Sequence, residues 1–562
     1  VISRREFFHL AAATAVVTGN TIPFRSAMAR QTLTQSDILD FQSKGQVTLL
    51  HFTDMHAQLT PIYFREPSIN LGVGEVEGLP PHITGRDFLK EFGIGAGTPE
   101  AYAMTSVDFE ALAKSYGRVG GVDRMMTLVN SIRAERPNNT LFLDGGDTWQ
   151  GSYTALMTKG EDMVNVQNAM GIDAMTAHWE FTYGQERVEE LRDMLEFPFL
   201  CGNVTDTEWD EDVFEAISYF ERGGVKVGVI GQAFPYTPVA NPRYLMPNWS
   251  FGINEKKVQS RVETARANGA ELVVLLSHNG FDVDRKLAGR VKGIDVILTG
   301  HTHDALPKAI KVGKTLLIAS GSHGKFLSRL DLEVKSGAVT DYTYKLMPVF
   351  ADVIQPDPEM AKMIEDIRAP HKAEMEKVLG TTDSLLYRRG NFNGTFDDLI
   401  CQALIEERDA EIALSPGFRW GSSLLPGQEI TVEHVHHHTS ITYPNVYRLE
   451  MTGEFLKVIL EDVADNLFNK DPYYQQGGDM VRVGGMAYTI DVNKPIGSRI
   501  SNMTFLKDGS AIDPNRNYVV AGWASVNEGT EGPPAYDLVA NHIAKKGTVS
   551  VEKNQNVTVR GT

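Results

Sequence analysis

Cysteine is nearly absent: Cys201 and Cys401 are the two in a chain of 562 residues. That count excludes a disulfide framework, since at most one bridge can form, and two lone buried thiols are the simpler reading. Positive charge is also scarce. Fifty-four Lys and Arg face 72 Asp and Glu, a formal net charge of −18. A nucleic-acid backbone is therefore excluded as the main partner, because phosphates require a basic surface. An acidic chain can still hold an anionic substrate where metal cations supply the local positive charge. There is no long low-complexity tract and no internal repeat. What remains is the composition of a globular protein, 42% hydrophobic and 22% charged, too long for one ordinary core. Two domains are expected.

The N-terminus reads as an address. "SRREFFHLAAATAVV" pairs Arg4 with Arg5 ahead of a short, mildly apolar run, and "AMA" at Ala27 to Ala29 supplies a small-residue cleavage signal. The run is too short to span a bilayer, and this order of features marks a signal peptide. The arginine pair identifies the twin-arginine type, a receptor-read address and not an anchor. Residues 1–29 are therefore set aside from the fold. The mature protein is expected in the periplasm, with no membrane attachment after signal removal.

From residue 46 to 350, short apolar runs alternate with amphipathic stretches, as α/β folds do. "VTLLHFTD", "TLFLDGGD", "VKVGVIG", "ELVVLLSH", "DVILTGH" and "TLLIASG" read as strands; "VDRMMTLVNSIRAE" and "EKKVQSRVETARANG" read as helices between them. Residues 61–117, rich in Gly and Pro, break the pattern and read as a surface excursion near the strand ends. A charged stretch over 351–380 reads as a linker helix. Residues 381–562 mix helices such as "FDDLICQALIEE" and "GEFLKVILEDVADNLF" with short strands and form the second domain.

Polar residues gather where the apolar runs stop. "LLHFTDMH" ends in Asp54 and His56, "LFLDGGDTWQG" in Asp147, "AMTAHWEF" in His178, "LLSHNG" in His278 and "ILTGHTHD" in His301 and His303. Ligands in α/β folds sit at the carboxyl ends of strands, so residues 250 positions apart can converge there. At i, i+2 both side chains of D-x-H or H-x-H fall on one side of an extended segment. The neighbouring glycines permit sharp turns. Two carboxylates and five imidazoles exceed the needs of one tetrahedral ion. They suit two divalent ions sharing a bridging carboxylate, an arrangement that activates water against a tetrahedral anion. "HVHHH" (His434 to His438) lies outside this set and reads as a loop tract that binds metals only casually. His323 in "GSHG" stands as a candidate support for the ligands.

The ordered set D-x-H, G-D, H, H-N-G, G-H-x-H resembles the calcineurin-like metallophosphoesterase superfamily, specifically its bacterial 5′-nucleotidase branch. The resemblance covers nearly the whole mature chain and implies a four-layer αββα metal domain followed by an α+β substrate-binding domain. It implies that Asp54, His56 and His303 hold one metal, with Asp147 bridging to a second held by His278 and His301. The branch's motif GNHEFD aligns with "AHWEFT". His178 thus replaces its asparagine ligand, Trp179 its catalytic histidine and Thr182 its aspartate. "SPGFRWGSS" resembles the substrate-loop motif and makes Arg419 a candidate clamp for substrate charge. "YYQQGGDMVRVGG" places Asp479 and Arg482 near the cleft. Asp147, His178, Trp179 and Arg419 are the candidate catalytic residues.

"FTDMHAQLTPIYFREPSINLGVG", "LDGGDTWQGS", "TAHWEFTYG" and "GWASVNEGTEG" are similar to the thiosulfohydrolases of the bacterial sulfur-oxidising (Sox) system. This implies a dimanganese enzyme, acting as a monomer. It would hydrolyse the terminal sulfonate from a cysteine S-thiosulfonate carried by SoxYZ, by attack of a metal-bound hydroxide. The alternatives are a periplasmic 5′-nucleotidase or cyclic nucleotide phosphodiesterase, and a non-catalytic protein stabilised by metals.

Overall fold

The computed structural model describes residues 33–561, so the signal reading on residues 1–29 lies outside the described residues. Two sheets face each other in the first half of the chain. The first takes its centre from β1 (Val47–Phe52), β2 (Thr140–Asp144) and β3 (Ala174–Met175), in parallel order, with an antiparallel pair beyond β1. The second is built on β4 (Val225–Gln232), β5 (Leu272–Ser277) and β6 (Val296–Thr299), also parallel, with Thr315–Ala319 beside β6. All six apolar runs read as strands are strands.

The burial follows the period of two. Val47 and Leu49 of β1, Leu141 and Leu143 of β2, and Val227, Val274 and Leu298 opposite share one apolar cluster between the sheets. Their neighbours in sequence face outward: Leu50, Phe52, Phe142, Ile230, Leu275 and Ile297 belong to a second cluster with the helices. Helix α1 (Val122–Glu135) contributes Met125, Leu128, Val129 and Ile132; α2 (Glu255–Ala267) contributes Val258, Val262 and Ala265. Strands apolar on both faces need cover on both faces. The result is the four-layer αββα sandwich, and each fully buried Leu or Val in it contributes about 1.5–3 kcal/mol.

The segment expected to be a single linker helix is broken. Helix α3 (Pro358–Arg368) is capped by Asp357, whose carboxylate accepts from the Glu359 and Met360 amides, and it stops ahead of Pro370. A 3₁₀ turn and one short helix, Lys372–Met375, follow. Proline cannot donate the amide a continuous helix needs.

The second domain centres on a four-stranded sheet whose two faces carry separate clusters. Helices Thr395–Arg408 and Ala535–Lys546 cover one face, and Gly453–Phe468 covers the other. Residues 61–117 do more than loop over the surface. They form three short helices, and Phe64, Phe88, Tyr102 and Phe109 enter the first core. Ile69, Leu71 and Val73 join the second domain's cluster instead, and the Leu71 amide donates to Asn391 Oδ1 at 2.6 Å. The excursion stitches the two domains together. Among the described residues no helix is long and apolar enough to cross a membrane.

Candidate metal centre

Sheet register explains the convergence. Phe52 of β1 lies opposite Asp144 of β2, and Asp144 lies opposite Met175 of β3. Gln232, Ser277 and Thr299 are aligned in the same way at the ends of β4, β5 and β6. The chain leaves these strands at one level, and the next few residues in each segment reach the same point. To do so the backbone bends hard: Asp54 (φ 53°), His56 (49°), Asp147 (59°), His301 (76°) and His303 (58°) all adopt left-handed conformations without being glycine. Such residues cost roughly 1–3 kcal/mol each and cluster at functional sites. Gly300 is needed for close approach, since a Cβ there would stand 2.4 Å from Thr53 Oγ1 and 2.9 Å from His278 Nδ1.

All seven predicted ligand residues meet. They fall into two groups that share one carboxylate: Asp54, His56, Asp147 and His303, and Asp147, His178, His278 and His301. Within each group the ligand atoms lie within 4.8 Å of one another. Asp147 Oδ1 is 3.3 Å from His178 Nδ1, and Asp147 Oδ2 is 3.0 Å from His278 Nε2. His56 Nε2 and His303 Nε2 approach to 3.1 Å.

The second layer fixes ring orientation. His278 Nδ1 donates to the Gly145 carbonyl at 2.6 Å, which leaves Nε2 facing the carboxylates. His301 Nε2 donates to the Gln476 carbonyl at 2.7 Å, leaving Nδ1 inward. Neither ring nitrogen of His178 has a hydrogen-bond partner in a fully buried setting. Buried polar atoms without partners are rare, and His178 offers one of its nitrogens to the group that holds Asp147, His278 and His301. The donor set and its orphaned nitrogens therefore fit two divalent cations. Mixed carboxylate and imidazole ligands suit manganese, zinc or iron alike.

The electrostatics agree for most of the set. Burial pulls His278 towards the neutral form, but the Asp147 and Asp54 carboxylates outweigh it and push the ring up to about 10. Burial would raise Asp147, yet His278 and His178 hold it well below the usual carboxylate range. Burial holds His301 and His303 well below the ordinary histidine value and takes His56 down to about 4. Metal ions require neutral imidazoles and ionised carboxylates: His56, His301, His303 and Asp147 are in those states, whereas His278 carries a proton and burial pushes Asp54 well above the usual carboxylate range, protons that binding a cation would displace.

Sequence reading missed Glu180. Its carboxylate, fully buried, accepts from the amides of Asp147, Thr148, Trp149 and His178 at 2.6–3.3 Å and so ties the two ligand loops together. A lone acid inside the apolar "AHWEFT" was the available signal. The position of Trp179 is equally specific. Its amide donates to Asp147 Oδ1 at 2.7 Å, while its indole meets Trp420 and Phe418 of the second domain edge-on at 4.8 and 5.3 Å. Thr182 turns the same way, with its Oγ1 2.8 Å from Thr442 Oγ1. Both positions therefore face the second domain, and neither offers a titratable group.

Arg419 lines the cleft with Asp147, His178, Trp179, Phe234, His301, Trp420 and Gly477. Its guanidinium is tethered: it donates to the Thr302 and Gly478 carbonyls and lies 3.4 Å from Asp479. Asp479 and Arg482 are buried behind it in an ionic chain that runs through Asp397 to Arg388. His323 packs against His56, ring centres 5.4 Å apart, and its Nε2 accepts from the Gly421 amide. The histidine tract is not an exposed loop. It forms helix α4 (Val432–Thr439), with His436, His437 and His438 buried and His438 stacked on Phe396 at 3.6 Å. Burial against apolar neighbours makes it core. Both cysteines are buried, and burial pushes each thiol well above its usual range.

Residues 378–538 match the family model of the 5′-nucleotidase C-terminal domain. The sulfate thiohydrolase SoxB of Thermus thermophilus, solved with glycerol, superposes with a TM-score of 0.90 at 37% identity, over 93% of this chain and 98% of that one. A 5′-nucleotidase precursor from the same species shares the fold, with a TM-score of 0.72 at 21% identity over 92% of this chain and 99% of its own. Among curated relatives, the 5′-nucleotidase of Bos taurus is 25% identical over 72% of this chain and 75% of its own length.

Proposed function

Since this chain belongs to the SoxB family, in the 5′-nucleotidase branch of the calcineurin-like metallophosphoesterases, we propose that it is a periplasmic thiosulfohydrolase. It hydrolyses the terminal sulfonate from a cysteine S-thiosulfonate carried by SoxYZ and releases sulfate. Membership makes it a metal-dependent hydrolase; the choice of sulfonate over phosphate rests on one observation. Where the branch carries a histidine and an aspartate, this chain has Trp179 and Thr182, both turned against the second domain.

Asp54, His56 and His303 would hold one ion and His178, His278 and His301 the other, with Asp147 between them. Two divalent cations there, manganese in this reading, supply positive charge to an anionic sulfonate and make water acidic enough to attack it. The protein's own residues do the rest. The Gly145 and Gln476 carbonyls keep His278 and His301 in the tautomers that face the centre. Trp179, Phe418, Trp420 and Phe234 wall the cleft with aromatic surface, which excludes bulk water and accepts a thin peptide and its sulfur atoms. Arg419 adds a fixed positive charge on the second-domain side.

In the reaction, the sulfonate sulfur gains the water oxygen and the S–S bond breaks. The electron pair leaves with the persulfide. A persulfide is a far better leaving group than an alkoxide, so it departs without a proton donor at position 179. The catalytic side chains lack the acid that phosphoester cleavage calls for.

Sequence relatives that are nucleotidases keep a second reading in play, a periplasmic 5′-nucleotidase or cyclic nucleotide phosphodiesterase. The two separate in one assay: sulfate release from thiosulfonate-loaded SoxYZ by the purified protein, with AMP and bis-nitrophenyl phosphate as rival substrates. Fast sulfate release with slow phosphate release is expected. AMP cleavage as fast as sulfate release overturns the proposal.

A further inference from the structure

The turn that carries His301 and His303 is held from outside its own domain. Both histidines are left-handed, and the first domain supplies the His301 amide with only the Asp54 carboxylate, at 3.0 and 3.1 Å. The Thr302 hydroxyl accepts from the Phe281 amide of the first domain at 3.3 Å, and further hydrogen bonds come from the second domain. The Gln476 carbonyl accepts from the His301 ring. The carbonyl of Thr302, midway between the two histidines, accepts from Arg419 Nη1 at 2.9 Å and from Arg389 Nη2 at 3.1 Å.

Arg389 is itself braced. Its Nη1 donates to Glu66 Oε2 at 2.6 Å, and the other oxygen of Glu66 accepts from Lys325 Nζ at 2.9 Å. All three side chains are buried. Glu66 belongs to the excursion after β1, Lys325 to the first domain and Arg389 to the second, so one buried ionic strut joins three parts of the chain at Thr302. Ions are not buried cheaply, and a buried pair is weak grounds for stability alone. A strained turn, by contrast, persists only where its surroundings over-determine it.

The geometry points to Arg389 as a positioning residue of the metal centre: braced by Glu66, it holds the H-x-H turn in its ligating form. Metal affinity and the seating of the second domain are then thermodynamically linked, each strengthening the other. This rests on the metal part of the proposed function and is independent of the substrate.

The test is calorimetric titration of the metal-free protein with Mn²⁺, with circular dichroism to establish folding. Arg389→Gln removes the fork and leaves Glu66 paired with Lys325, while Asp304, 4.0 Å from Arg389, keeps the Asn70 side-chain amide as a donor. It should weaken Mn²⁺ binding about tenfold, the low end of what removing a partner behind a metal ligand produces. Arg389→Lys, which keeps the charge and one donor, should recover part of that loss and serves as the second variant if the glutamine variant does not fold. Arg261→Gln, which breaks an ion pair with Asp212 away from the cleft, should stay within about twofold of wild type. A folded Arg389 variant with wild-type affinity for both ions overturns the inference, as does an equal loss in Arg261→Gln. Wild-type protein that takes up no ions overturns the metal reading beneath it.

Discussion

The two faces of the cleft are built on opposite principles. The first-domain face consists of strand ends, left-handed backbone, buried carboxylates and imidazoles, two of them oriented by carbonyls. The second-domain face, from Pro416 to Trp420, consists of apolar and aromatic surface with one tethered arginine. Charge and strain are concentrated where bonds are to be broken; shape and dryness are supplied opposite. In the proposed function the reaction class belongs to the first face and the selection of substrate to the second. Trp179 is the exception that joins them, a first-domain residue whose ring lies in the second domain's apolar cluster.

The sharpest way to break this division is to remove its centre. Asp147→Ala takes away the carboxylate shared by both ligand groups and exposes five imidazoles to two uncompensated cations. Metal analysis should find neither ion tightly held, and turnover should vanish. Two ions retained in the variant would end the shared-carboxylate arrangement.

A smaller effect comes from moving the first face towards phosphate chemistry. Trp179→His with Thr182→Asp puts a titratable pair where the branch has one. Hydrolysis of AMP or a nitrophenyl phosphate should rise by roughly 10²–10⁴-fold, the usual contribution of a placed acid or base. Sulfate release from the carrier should fall because the aromatic wall is opened. Comparison of kcat/KM on both substrates decides. A variant that keeps its metals and gains no phosphatase activity would show that position 179 does not set the choice.

The cysteines lie on neither face. Burial keeps both thiols protonated, so the double variant Cys201→Ala, Cys401→Ala should release sulfate within about twofold of wild type, because only the thiolate is a nucleophile. Loss of sulfate release from a folded double variant would bring a thiol into the mechanism.

The smallest effect concerns the seam between the excursion and the first domain, where His82 Nε2 lies 2.7 Å from Asp282. Burial opposes the charged ring, but Asp282 and then Asp304 raise its pKa above the ordinary histidine value. A raised folded-state pKa stabilises most below the unfolded value of about 6.5 and is lost as pH climbs through the folded one. The melting-temperature gap between wild type and His82→Gln should thus be widest near pH 5–6 and close towards pH 9. A gap that widens with rising pH would contradict the ion pair.

Much of the centre was legible because its signals are local. An apolar run ending in D-x-H or G-H-x-H announces a strand and the residues beyond it, which gave Asp54, His56, His301 and His303; Asp147, His178 and His278 followed from G-D, H-N-G and the order of the whole set. Glu180 and Arg389 were not. Neither stands at the end of an apolar run, and each acts by accepting or donating at backbone far away in sequence, which no spacing encodes. The histidine tract misled for the converse reason: four histidines within five positions suggest a loop, whereas α4 is buried between His438–Phe396 stacking and Tyr153 against His436.

By itself, then, the sequence determined the alternation of strand and helix, the inventory of ligands and the replacement of a histidine–aspartate pair by Trp179 and Thr182. Side-chain periodicity and chain-reversal chemistry are properties of a few consecutive residues, and they are readable there. The two groups sharing Asp147 were implied by the family resemblance; the tertiary structure brought the candidate ligands together in them, through strand register across sheets. It also decided that Trp179 leaves its own domain for the other's aromatic cluster, that Arg419 is anchored to two carbonyls, and that an arginine of the second domain holds a turn of the first. These are contacts between segments far apart in the chain, selected by packing and by the need to pair buried charge.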